Sequence, residues 1–207
     1  MSQEYAIPAI PRHSAEDSIK RSRFITTIAH VTTVDEARAF IADIKAQHPD
    51  ANHNCWAFNA GPAGDSAFVG CSDDGEPSGT AGRPMLNVLM HSGVGEIAAV
   101  VTRYFGGIKL GTGGLVRAYS SMVQLALDSL PTTRRFEALR LCISIDYKHI
   151  TLFKRALPTF EATIDNETYA RDAAFTLTLP KDNAQALQDH ITELTDGTAR
   201  IHEVKEE

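Results

Sequence analysis

The sequence predicts an α+β protein of two domains, over residues 1–133 and 134–207. Two observations lead to this fold class. Segments with the 3.6-residue spacing of amphipathic helices are interspersed with short runs rich in β-branched and aromatic residues, which is typical of mixed helices and strands. A helical pattern ends at Pro131 and strand-like alternation restarts at Ala138, which predicts a domain boundary between them.

The elements of the first domain follow in order. A polar tail broken by prolines is expected to open the chain, before a strand in KRSRFITTIAHV, whose β-branched and aromatic residues favour extended backbone. Apolar residues then recur with helical spacing from Val34 to Ile44 and Pro49 follows, which predicts an amphipathic helix over 34–47. The later elements are predicted as strands over 54–59 and 67–71 that form a hairpin, a helix after Pro84, a buried strand over 96–105 and a helix over 115–130.

The second domain is predicted to have the order β-α-β-β-α-β, with Asp182 as the N-cap of its second helix. This order is that of the split βαβ, or ferredoxin-like, motif. The six elements are predicted over residues 138–147, 149–157, 162–169, 173–179, 182–194 and 198–204.

The composition, with 43% hydrophobic and 22% charged residues, is typical of a soluble globular protein. No apolar run has the length needed to span a bilayer, and the polar N-terminus does not have the form of a signal peptide, so we expect no membrane partner. The three cysteines lie far apart and fit a reducing compartment better than a disulfide framework. These features predict a cytoplasmic location.

The net charge of −6 argues against a protein that coats nucleic acid indiscriminately. Residues 1–135 hold 12 Lys and Arg against 13 Asp and Glu, whereas residues 136–207 hold 8 against 13. The acidity therefore belongs mainly to the second domain, which we expect to face a protein partner. Residues 79–117 carry four basic residues and one acidic residue, so this segment is locally positive.

The stretch RYFGGIKLGTGGLVR holds five glycines within residues 106–114, which we call the glycine loop. It links a predicted strand to a predicted helix, an arrangement in which unpaired backbone N–H groups bind anions. The alternative is a purely structural turn, in which glycines supply positive φ and close packing. The Walker A and dinucleotide-binding patterns are both absent, so nucleotide hydrolysis is not favoured. The candidate anion- or nucleic-acid-binding residues are Arg83, Arg103, Lys109, Gly111, Thr112, Gly113, Gly114 and Arg117.

A second stretch, SDDGEPSGTAG, holds three carboxylates within four residues, and we call it the acidic loop, residues 72–82. Carboxylates at this density can hold Mg²⁺ or Ca²⁺, although the spacing is not that of an EF-hand. An Asp-Gly turn before a helix capped by Ser78 or Thr80 explains the same residues without a metal, and we favour it. We predict no metal ligand and no cofactor, and the motif residues are Asp73, Asp74, Gly75, Glu76 and Thr80.

Other residues with reactive or charged side chains give weaker signals. His53 and Cys55 share one face if their segment is a strand, but the sequence shows no group that orients them, so no catalytic residue is predicted.

A basic cluster formed by Lys20, Arg21 and Arg23 precedes the first predicted strand. If that strand lies beside the glycine loop, the cluster extends one positive face. Tyr104 and Phe105 could then supply stacking surfaces for bases. Both end an apolar run, however, so we expect at least one of them in the core.

The stretches SDDGEPSGTAGRPML and GVGEIAAVVTRYFGGIKLGTGGLVRAY resemble the signature of the IMPACT family, in its bacterial YigZ-like branch. The opening IPA, the segment KRSRFI and the hexapeptide HPDANH are similar to the same branch, so the resemblance spans almost the whole chain. It implies an N-terminal domain like the second domain of a small-subunit ribosomal protein, and a ferredoxin-like C-terminal domain similar to part of elongation factor G.

The resemblance also implies binding to RNA or to the ribosome. We therefore expect a non-enzymatic protein that modulates translation, with Arg103, Lys109 and Arg117 contacting phosphates, which position a nucleic acid without reading its sequence. The rival hypothesis is an enzyme that holds a phosphorylated substrate at the glycine loop and a metal at the acidic loop. A protein-interaction module is the third hypothesis.

Overall fold

The structure, a computed structural model, describes residues 4–204 and contains both helices and strands, which confirms the α+β class. The chain forms two compact units, Tyr5–Arg135 and a second that begins at Phe136. The first unit extends slightly beyond residue 133 because Thr132–Arg135 is a strand that pairs with Tyr5–Pro8.

In chain order the elements of the first unit are β1 (Tyr5–Pro8), β2 (Arg12–Ile19), β3 (Ser22–His30), α1 (Val34–Gln47), β4 (His53–Asn59), β5 (Val69–Ser72), α2 (Gly82–His91), β6 (Ile97–Tyr104), α3 (Thr112–Asp128) and β7 (Thr132–Arg135). They combine an antiparallel sheet, in the strand order β2-β3-β6-β4-β5, with a separate strand pair formed by β1 and β7.

The five-stranded sheet is covered on both faces. Successive side chains of β6 point to opposite faces, so Ala99 and Val101 pack under α2 and α3, whereas Ala98 and Val100 pack under α1. This double burial explains the unbroken apolar run of β6. The central position of β6 fixes where its last residues emerge, next to the first residues of the antiparallel strands β3 and β4.

The second unit has the predicted β-α-β-β-α-β order, with short 3₁₀ turns at Tyr147–His149, Leu157–Phe160 and Lys181–Asn183. The elements are β8 (Ala138–Ile145), α4 (Ile150–Ala156), β9 (Thr163–Tyr169), β10 (Ala173–Pro180), α5 (Ala184–Leu194) and β11 (Arg200–Glu203). The antiparallel sheet has the order β11-β8-β10-β9. Alternate residues of β8 and β10 form a core with the two helices.

Two of the local predictions are wrong. The N-terminal segment is not a tail, because within the described residues it forms β1 and β2, and β2 pairs along its whole length with β3. Asp182 is not an N-cap, because a 3₁₀ turn precedes α5 and places Asn183 at the cap position, without a side-chain cap bond. None of the helices within residues 4–204 combines the length and apolar character needed to cross a bilayer.

Candidate functional site

Three stretches that are far apart in the sequence meet at one cleft of about 490 Å³ in the first unit, which we call the glycine-loop cleft. The acidic loop contributes Glu76 and Pro77, and the first residue of β4, His53, lines the cleft together with Asn52 before it. The end of β6, the glycine loop and the first turns of α3 complete the lining. The middle of the glycine loop, residues 109–112, and Glu76 of the acidic loop motif are therefore brought to one place.

The floor of the cleft is a buried ion pair. Arg103 donates from Nη1 to Oε1 of Glu76, and these side chains are only 7% and 4% exposed. Tyr119 donates its hydroxyl to the same oxygen at 2.8 Å, and burial raises the pKa of Tyr119. Arg103 was predicted to contact phosphate, whereas in the structure its guanidinium is buried and neutralises a carboxylate. A buried charge requires such a partner.

The acidic loop is held by hydrogen bonds from its neighbours. Asp74, whose φ is +43°, accepts at its carboxylate from Lys45 Nζ and, at 2.7 Å, from the backbone N–H of Asn54. Its carbonyl oxygen lies 2.9 Å from Nδ1 of His53. Because a carbonyl only accepts, Nδ1 carries a proton in this contact. Nε2 lies 3.9 Å from Oε2 of Glu76.

The helix cap predicted at Ser78 or Thr80 is instead supplied by Asp73. Its carboxylate accepts from the backbone N–H groups of Gly79, Ala81 and Gly82 at 2.8–2.9 Å, which satisfies N–H groups at the start of α2. Burial alone would raise the pKa of Asp73, but these three donors together hold it below its ordinary value. The Thr80 hydroxyl donates to the carbonyl of Pro77, and Gly75, with φ of +88°, completes the turn.

The glycine loop has both a structural and an open part. A Cβ added at Gly106 would lie 1.8 Å from the carbonyl oxygen of Arg21, so the loop touches the β2–β3 turn directly. Gly111 is the N-cap of α3 with φ of +75°, a conformation that favours glycine, and no side chain caps the helix. Thr112 and Gly113 follow as exposed residues at the helix start, with the half-buried Gly114 after them. The backbone N–H groups of this first turn have no intrahelical acceptor.

The basic cluster lies beside the glycine loop, which is the condition under which it extends one positive face. Lys20 and Arg117 line a second cleft of about 250 Å³, and this cleft shares Leu110 with the glycine-loop cleft, which Lys109 lines. Arg23 is bound to Glu16 instead. We call the exposed residues Lys20, Arg21, Lys109 and Arg117 the basic rim.

Arg83 does not join the basic rim. It is exposed on α2 and lines a separate groove with Asn87 and Val116, which lies between α2 and α3. The structure therefore separates Arg83 from the other predicted anion-binding residues.

Neither aromatic residue at the end of β6 is buried, which contradicts the expectation that one belongs to the core. Tyr104 is half-buried, and its hydroxyl lies 2.9 Å from Nδ1 of His48. Phe105 is 45% exposed, and its ring centroid lies 5.6 Å from Cζ of Arg103. The Phe105 ring is thus available to stack on a ligand.

The site lacks an activated cysteine nucleophile. Cys55 is fully buried, its thiol donates to the carbonyl of Asp73, and burial raises the pKa of the thiol to about 12. Within residues 4–204, no group of three or more His, Cys, Asp and Glu side chains is arranged to hold a metal ion. The arrangement is suited to binding an anion beside an aromatic surface.

Sequence reasoning did not place His53, Asn52 or Phe105 together with the two glycine-containing motifs. The signal was available in part, because HPDANH was one of the stretches that resemble the family. The antiparallel register that sets His53 opposite Arg103 can be seen only in the folded sheet.

Residues 20–127 match the Impact N-terminal domain, and residues 143–198 match a domain of unknown function, DUF1949. The chain is 42% identical over 204 residues to IMPACT family member YigZ of Escherichia coli (strain K12), covering 99% of this chain and all of that protein. It is 39% identical over 185 residues to IMPACT family member YvyE of Bacillus subtilis (strain 168), covering 89% and 84%.

A crystal structure described as that of a hypothetical protein is 40% identical to this chain and covers the whole of both chains, with a TM-score of 0.65. The two domain matches and the near-full-length relatives agree with the resemblance of the sequence motifs. The chain belongs to the IMPACT family, in its YigZ-like branch.

Proposed function

We propose that this protein is a non-enzymatic RNA-binding protein that binds RNA or ribosomal particles through the basic rim and thereby modulates translation. The observation that carries the proposal is the convergence of four exposed cations, from the β2–β3 turn, the glycine loop and α3, around one loop. Within residues 4–204, none of the four forms an ion pair with an acidic side chain.

Unpaired cations at a surface are suited to a polyanion. Each Lys or Arg that neutralises a phosphate releases counterions, and this term is independent of sequence. A cation that is already paired, as Arg23 is with Glu16, is neutralised and contributes less to the binding of a polyanion. The basic rim therefore concentrates positive charge on a protein whose net charge is −6.

The Phe105 ring adds a second element of nucleic-acid binding. Its exposed face borders the glycine-loop cleft, beside Lys109. Stacking of a base on an aromatic ring tolerates every base, because each base has a π-face. A positive loop with an adjacent aromatic ring supports single-stranded RNA rather than a duplex as the ligand.

The rival enzyme hypothesis has less support from the geometry. Asp73 accepts three backbone N–H bonds, Asp74 binds Lys45 and Asn54, and Glu76 binds Arg103. Each carboxylate that was considered as a metal ligand already has protein donors.

The second unit, which carries most of the negative charge, is proposed to face a protein partner. The implied likeness of the first domain to a ribosomal protein domain, and of the second to part of elongation factor G, stays a prediction. The β-α-β-β-α-β order of the second unit is consistent with the latter.

Sedimentation of cell lysate through a sucrose gradient tests the proposal. At low salt we expect the wild-type protein to move with ribosomal particles, and the Lys20→Ala/Lys109→Ala/Arg117→Ala variant to stay at the top, because phosphate contacts are lost. The matched control is Lys148→Ala/Arg155→Ala/Arg171→Ala, which removes the same charge from exposed positions of the second unit.

The control variant should move with the wild type. If the wild type itself stays at the top at low salt, the ribosome proposal is wrong. If the control variant is lost from the particles and the rim variant is retained, the contact lies on the second unit instead.

A further inference from the structure

We propose that the glycine-loop cleft is a nucleotide site, which takes one nucleoside monophosphate unit, either free or as an end of an RNA strand. The choice of a nucleotide rests on the proposed RNA-binding function. The inference goes beyond it because the basic rim needs only phosphates, whereas the cleft accommodates a phosphate, a sugar and a base together.

The cleft is a built site rather than an exposed charge cluster. Two charged side chains that line it, Glu76 and Arg103, are more than nine-tenths buried. Nε of Arg103 is buried and has no hydrogen-bond partner among the described residues. The volume of the cleft, about 490 Å³, lies within the 300–1,000 Å³ range of small-molecule sites.

The phosphate is assigned to the start of α3. This helix has 17 residues, its first N–H groups have no side-chain cap, and Gly111 and Thr112 line the cleft. The N-terminus of a helix favours negative charge because of its dipole and free N–H groups. Lys109 lines the same cleft and adds a full positive charge, and the Thr112 hydroxyl adds a donor.

The base is assigned to the apolar wall. Phe105, Leu110 and Leu115 line the cleft, and Phe105 is the exposed aromatic residue among them. Its backbone N–H donates to Oδ1 of Asn52 at 2.7 Å, which fixes the start of the loop that carries the ring. A ligand with a flat ring is therefore favoured over a phosphate alone.

Polar groups in the lining can bind the sugar or the base edge. Nε2 of His53 can form a hydrogen bond, and the amide Nδ2 of Asn52 is a donor, whereas Oδ1 of Asn52 already accepts from the Phe105 N–H. Hydroxyl and exocyclic amine groups of a nucleotide match this pair. An inorganic anion would leave both without a partner.

Titration calorimetry on the full-length protein with AMP, GMP, CMP and UMP, and with adenosine and inorganic phosphate, tests the site. We expect the monophosphates to bind at least about tenfold more tightly than adenosine or phosphate, because only they fill both parts of the cleft. When AMP is added, the largest changes in backbone amide NMR chemical shift should occur at residues 105–115 and at His53.

A pair of variants at Thr112 and a single variant at Phe105 sharpen the test. Thr112→Glu should weaken AMP binding at least about tenfold by repulsion, while the added charge favours the helix start, so the fold is kept. Thr112→Gln, which is neutral and of similar size, should weaken AMP about twofold or less. Phe105→Ala should weaken AMP about tenfold but leave inorganic phosphate unchanged.

A further variant, Lys20→Ala/Arg117→Ala, distinguishes failure of this site from failure of RNA binding, because both residues lie outside the cleft. It should reduce the affinity for RNA, whereas its affinity for AMP should stay within about twofold of the wild-type value. Equal binding of AMP, adenosine and phosphate, or AMP binding that Thr112→Glu does not change, overturns the nucleotide site even if RNA still binds. Competition with 5′-phosphorylated against 5′-hydroxyl oligonucleotides identifies the source. Competition by the phosphorylated strand supports a strand end, and competition by AMP alone supports a free nucleotide.

Discussion

Replacing Arg103 by alanine should lower the free energy of unfolding by about 3–5 kcal/mol, the cost of leaving a buried charge without its partner. Glu76 would stay buried with only the Tyr119 hydroxyl as a strong donor. The cavity left between Phe24 and Phe105, which both lie near the Arg103 guanidinium, adds to this loss. Urea denaturation measures the effect.

The double variant Arg103→Met/Glu76→Gln should recover about half of the loss, because it removes both charges together. Arg38→Ala is the control, since its pair with Asp35 is 73% and 94% exposed, and it should cost less than about 0.5 kcal/mol. An Arg103→Ala protein within about 1 kcal/mol of the wild type would contradict a stabilising buried pair.

The second large effect is expected at Gly106. The substitution Gly106→Ala should cost about 3 kcal/mol, because the new methyl group would lie 1.8 Å from the Arg21 carbonyl and the backbone must move. The Gly106 N–H donates to the Oγ of Ser22, a buried residue, at 3.2 Å, and this bond would be strained as well. Thermal or urea denaturation measures the loss.

Gly113→Ala is the matched control within the same loop. A Cβ at Gly113 would meet nothing within 4 Å, and alanine is the better helix former, so we expect a gain of about 0.5 kcal/mol. Equal effects of the two substitutions would show that the close contact between the glycine loop and the β2–β3 turn is absent in solution.

Elements set by local sequence could be predicted well. The helix predicted over 34–47 has these same bounds in the structure, because Thr33 accepts from the Glu36 N–H at its start and the apolar spacing is regular. The strands β1, β2 and β7 were missed because polar or short segments such as RHSAEDSI become strands only through their partners. The pairing of β1 with β7 joins opposite ends of the first unit, and no local pattern encodes it.

The candidate site could be predicted in its residues but only partly in its geometry. The acidic and glycine loops were both selected from the sequence, and they do meet at one cleft. Arg103 was predicted to contact phosphate, which requires an accessible guanidinium. Its burial depends on Glu76, which only the folded chain brings within hydrogen-bond distance. Long-range pairing of this kind leaves no periodic signal in the sequence.

The affinity for single-stranded RNA as a function of salt tests the central claim most directly. With a labelled oligonucleotide and fluorescence anisotropy, the logarithm of the wild-type association constant should fall linearly with the logarithm of salt concentration. The slope should become shallower by about 2 in the Lys20→Ala/Lys109→Ala/Arg117→Ala variant, since each lost phosphate contact contributes about 0.7. An unchanged slope in that variant, or wild-type protein that does not bind RNA at low salt, would contradict RNA binding through the basic rim.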